Sequence, residues 1–94
     1  MPRNAHLVRF GLLRKGFRET EGDHKFYIYF SVAGKKTSVY TKISHGEREI
    51  SDGNLRKMSR QTHLTRNEFD QLIDCTISQA KYQDTLIIKG KILV

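Results

Sequence analysis

The stretch from His24 to Ile43, HKFYIYFSVAGKKTSVYTKI, constrains the fold more than any other part of the 94-residue chain. Two runs rich in aromatic and β-branched residues flank the glycine-containing AGKK, the pattern of an antiparallel hairpin. Strands are expected at 24–32 and 36–43. Upstream, FRET (17–20) reads as a short first strand with Phe17 as its buried end, and ETEGD turns the chain into the second. Side chains alternate across a strand. His24, Phe26, Ile28 and Phe30 therefore share one side of the second strand, and Val39, Thr41 and Ile43 one side of the third. This apolar side is expected under helices. As first residue of its strand, His24 fits either the core side or the solvent-open end of the sheet. The opposite side carries Lys25, Tyr27, Tyr29 and Ser31, with Ser38, Tyr40 and Lys42 on the neighbouring strand. Such a face has the chemistry to stack bases and hold phosphates, although tyrosine also suits any half-exposed strand.

Helical signals bracket the strands. Asn4 is placed to cap a first helix (5–15), with Gly16 in the left-handed position that ends it and an apolar stripe of Leu7, Val8, Leu12 and Leu13. SHGEREISD (44–52) reads as loop. Ser51 or Asp52 caps a second helix, 53–63, that buries Leu55, Met58 and Thr62. Thr65 and Glu68 form a capping-box signature ahead of a stripe of Phe69, Leu72 and Ile73. Ser78 starts a short last helix through Tyr82, and LIIKGKILV reads as a strand or docking segment. The expectation is one α+β domain over residues 1–94. It has a three-stranded antiparallel sheet in the order 1-2-3, two helices on one face, and a helical C-terminal extension from 65 to 94.

The net charge of +7 suggests a polyanionic partner, most often nucleic acid. Between Gly53 and Asn67 there are four Lys or Arg and no acid. Arg56, Lys57 and Arg60 lie opposite Leu55 and Met58, as on a solvated helix face or one that holds phosphates. Cys75, the only cysteine, follows a core stripe and reads as structural. No disulfide can form within the chain, so a reducing, cytoplasmic setting is expected. No apolar run approaches the roughly 18 residues of a membrane span, and no signal-peptide run is present. His6, His24, His45 and His63 show no metal-ligand spacing. No glycine-rich phosphate loop occurs, and neither metal nor cofactor is expected.

The segment LLRKGFRETEGDHKFYIYF resembles the start of the HicA toxins, small ribonucleases of bacterial and archaeal toxin–antitoxin pairs. Gly16-Phe17 stand at the family's Gly-Phe step, and Gly22-Asp23-His24 at the Gly, small polar residue and His that open its next strand. Downstream, TKISHGEREISDGNLRKM is similar to the family's strand end, His, acidic loop and second helix. Thr41, His45, Glu49, Gly53 and Leu55 fall at matching spacings, and the likeness spans residues 5–64. The resemblance implies a fold like a double-stranded-RNA-binding domain, with His24 as the catalytic residue. Asp23 replaces the commoner Ser or Lys, and the segment from Thr65 onward is longer than the usual ending.

RNA carries its own nucleophile, the 2′-hydroxyl. Cleavage needs a base for that proton, an acid for the leaving 5′-oxygen and positive charge on the phosphate. A histidine suits both proton transfers because its ordinary pKa lies near 6.5. Asp23 would favour the imidazolium if the backbone turned at Gly22 to bring the two together. His45 follows the antiparallel neighbouring strand, so it is the candidate partner at the same end of the sheet, or else a plain loop histidine. The expectation is a HicA-like mRNA interferase that binds RNA and cuts it without metal through His24, with His45 and Asp23 assisting. Lys25, Tyr27, Tyr29, Tyr40 and Lys42, with Arg56, Lys57 and Arg60, hold the RNA. A small antitoxin with an acidic surface is the implied protein partner. The alternative is a non-catalytic RNA-binding or partner-binding module on the same scaffold. A DNA-binding module ranks last, for want of a paired recognition-helix motif.

Overall fold

The structure, a computed structural model, describes residues 2–20, 25–43, 46 and 48–92. Asn4 caps helix α1 (Ala5–Arg14), its side chain accepting from the His6 and Leu7 N–H groups. Gly16, at a φ of +94°, lets the chain leave the helix and enter strand β2 (Phe17–Glu19) at once. Strand β1 (Arg3–Asn4) precedes α1, and β3 (Lys25–Phe30) and β4 (Lys36–Ile43) follow β2. The chain continues through β5 (Glu49–Ile50), α2 (Asp52–Gln61), α3 (Arg66–Ile73) and α4 (Gln79–Ile88). The fold is α+β. Its principal sheet is antiparallel in the order β2-β3-β4, as the alternation predicts. A second, two-stranded sheet pairs β1 with β5, inside the stretch expected to be loop.

The faces of the sheet are the reverse of the sequence expectation for β3. Tyr27 and Tyr29 are 1% and 0% exposed, whereas Phe26 is 36% exposed. Cross-strand register gives the reason. Tyr27 stands directly opposite Thr41 and Ile28 opposite Tyr40, and directly paired residues project to the same face. Val39, Thr41 and Ile43 point inward as expected, and they carry Tyr27 and Tyr29 with them. Both faces of β3 are apolar or aromatic, so alternation separates two sets without saying which is inside.

On the inner face Phe17, Tyr29 and Tyr82 form a three-ring cluster, with centroids 5.2–5.9 Å apart. Tyr82 reaches it from α4, and its hydroxyl donates to the Thr62 carbonyl at 2.9 Å. The Tyr29 hydroxyl and the Val32 N–H both donate to Gln83 Oε1, at 3.0 and 2.7 Å. Helix α4 is thus part of the core and runs to Ile88, well beyond Tyr82, because Leu86 is fully buried. In α1 the buried positions are Ala5, Val8, Gly11 and Leu12, whereas Leu7 and Leu13 of the expected stripe face outward. Helix α3 lies against α1 so closely that a Cβ on Gly11 would sit 2.9 Å from Ile73. The capping box at Thr65 and Glu68 forms as read.

Candidate nucleic-acid interface

His24, Asp23 and His45, the expected catalytic residues, lie outside the described residues. The positions that bound them are Lys25 and Ile43, which are direct cross-strand partners. Thr20 closes the β2–β3 hairpin there: its N–H donates to the Phe26 carbonyl at 2.8 Å, and the Phe26 N–H to its hydroxyl at 3.3 Å.

At this end of the sheet Lys25 pairs with Glu19 at 3.3 Å, and the Tyr27 hydroxyl donates to Glu19 at 3.1 Å. Burial and the Glu19 hydrogen bond push the Tyr27 hydroxyl up to about 12. Burial opposes ionisation of Glu19, but the Lys25 and Tyr27 contacts prevail and hold its carboxyl below the usual range. Arg9 of α1 adds a second cation beside both groups, and its Nε is buried with no hydrogen-bond partner among the described residues. Arg9 escaped the sequence reading because α1 was read for its apolar stripe alone.

Lys42 and Lys57, two of the expected phosphate contacts, meet in a groove of about 100 Å³ between β4 and α2, with Asn54 and Gln61 beside them. The Thr41 hydroxyl donates to Gln61 Oε1 at 2.8 Å and fixes that wall. Arg56, Lys57 and Arg60 are exposed on α2 as expected, with Arg56 held at 3.3 Å from Asp52. The acids of 68–74 serve structure. Asp70 binds Arg3 at 3.1 Å and Arg66 at 3.2 Å, and Asp74 also binds Arg3.

Tyr27 and Tyr29 do not reach solvent as base-stacking rings; the core holds them. The rings on the open face are instead Phe26 and Tyr40, in edge-on contact at 6.0 Å, and Phe30, over which the Arg18 guanidinium lies at 4.1 Å. Of the expected tyrosines only Tyr40 is presented, at 44% exposure. Among the described residues no group of three or more His, Cys, Asp or Glu is placed to hold a metal ion, and no helix is long and apolar enough to cross a membrane. The chain matches no protein-family model, no curated protein and no solved structure.

Proposed function

We propose that this chain is a HicA-like ribonuclease that binds RNA and cleaves it through His24. One observation carries the reading. Around the sheet end bounded by Lys25 and Ile43, the residues next to the two histidine-bearing segments, Arg9 and Lys25 lie beside Glu19, and Lys42 and Lys57 line the groove that adjoins Ile43. A scissile phosphate held there gains the positive charge that its transition state requires. In the proposed reaction His24 takes the proton of a 2′-hydroxyl. The 2′-oxygen then bonds to phosphorus as the bond from phosphorus to the 5′-oxygen breaks. His45 returns a proton to that leaving oxygen, and the product is a 2′,3′-cyclic phosphate. The helix–three strands–helix order supports the likeness to a double-stranded-RNA-binding domain, to which α3 and α4 add a helical C-terminal segment. mRNA as target, and a small antitoxin that covers the site, follow from the same resemblance.

The test is incubation of the purified chain with end-labelled RNA in chelator, from pH 5 to 8, where a histidine changes charge. Fragments ending in cyclic phosphate, formed at a rate that varies across this range, are the expected result. Salt-sensitive binding without cutting at any pH would leave the alternative, an RNA-binding module, in place.

A further inference from the structure

The face of the main sheet that the helices leave uncovered has its own composition. Its apolar floor is a depression of about 290 Å³ formed by Phe26, Ile28 and Tyr40 with Thr37 and Ser38. Arg18 pairs directly with Ile28, Lys42 with Phe26, and Lys36 with Phe30, so all three cations project to this side. None of them is in an ion pair among the described residues, and no acid among those residues projects to this face. The inward residues of the same strands include Glu19, which is paired to Lys25 and Tyr27. A β4 segment with two extra residues, four positions from Lys36 to Tyr40 against two from Ile28 to Phe30, bends the strand beside the depression. The Thr37 hydroxyl, donating to the Tyr29 carbonyl at 2.7 Å, fixes that bend.

We propose that this face binds single-stranded RNA, with bases stacked on Phe26 and Tyr40 and the flanking phosphates held by Arg18, Lys36 and Lys42. The inference rests on the RNA reading above and names the form of RNA. Aromatic rings exposed on a sheet face reach the faces of bases only where those bases are unpaired, because a duplex buries them in its own stack. The three cations supply charge complementarity to the strand's phosphates. They also argue against a second copy of this chain as occupant, since a two-fold contact would set this cationic face against itself.

The experiment titrates a short fluorescent single-stranded RNA, and its duplex, against the full chain carrying His24→Ala, so that the RNA stays intact. Phe26→Ala and Tyr40→Ala should each weaken single-strand binding about 5- to 150-fold, the range expected of one stacked base. Tyr40→Leu keeps apolar area but not the ring and should weaken binding too, with the melting temperature unchanged. Lys36→Gln should reduce the salt slope by about 0.7. Ring variants that bind within about twofold of their parent, or a duplex preferred over the single strand, would overturn the proposal. So would a parent that sediments as a dimer dissolved by Tyr40→Ala. Cleavage is read separately on the chain with His24 intact. Cutting that survives neutral ring substitutions would remove this face and leave the ribonuclease reading. Ring-dependent binding without cutting would remove that reading and leave this face.

Discussion

At the residue scale the inner tyrosines decide the sheet. Tyr29→Ala removes a fully buried ring from the three-ring cluster and should cost about 3–5 kcal/mol in a urea melt. Phe26→Ala, on the outer face, should change stability by less than about 1 kcal/mol. Equal losses at the two sites would contradict the face assignment. Alkaline pH offers an independent check. Burial raises the hydroxyl pKa of Tyr27, Tyr29 and Tyr82 in the folded chain. The unfolded chain therefore loses these protons first, from about pH 10. Their contribution is complete below pH 10 and is lost as pH rises through the folded value, which for Tyr27 is about 12. Stability should fall across that window, and Tyr27→Phe should flatten the fall. The sequence held this much of the answer without displaying it. The inward set Val39, Thr41 and Ile43 was legible, and pairing through Thr41 carries Tyr27 inward. The parity of that pairing is set at the turn, where Phe30 stands opposite Lys36, and the two extra residues near Ser38 leave it unchanged; alternation alone does not reveal it.

At the scale of elements, three helices end in one way. After α2, α3 and α4 the residues His63, Cys75 and Gly90 take positive φ. The next N–H in each case reaches back five residues, as from Leu64 to the Ser59 carbonyl at 2.9 Å, the pattern of a Schellman cap. Gly90 suits that conformation, whereas His63 and Cys75 carry a Cβ there. Cys75→Gly should therefore raise stability by about 0.5–1 kcal/mol in denaturant melts. A loss would mean that the Cys75 side chain contributes more than its backbone geometry costs. Caps that use side chains, Asn4, Ser51, Thr65 and Ser78, were legible because their chemistry is local. The length of α4 was not, because Leu-Ile-Ile favours a strand until Leu86 finds the core. The β1–β5 pair, two residues each, carries no periodicity to read. The positive-φ helix ends at His63 and Cys75 lack the glycine that marks such positions.

At the scale of the whole molecule, the described charges fall into separate groups. Asp70, with Arg3 and Arg66, ties β1, α3 and α2 together, while the sheet end at Lys25 and the outer face collect cations. RNA affinity should accordingly fall with salt, with a log–log slope of about −0.7 for each single-strand phosphate contact. A binding constant indifferent to salt between about 50 and 200 mM would deny the cationic surface any part. The central claim is that His24 performs the chemistry, and one paired measurement addresses it. The single-turnover cleavage rate and the RNA dissociation constant are determined on the wild-type chain and on His24→Ala. The expected result is an unchanged dissociation constant with cleavage slowed by at least about 10²-fold, the contribution of one acid–base group. Equal cleavage by both chains would contradict the assignment.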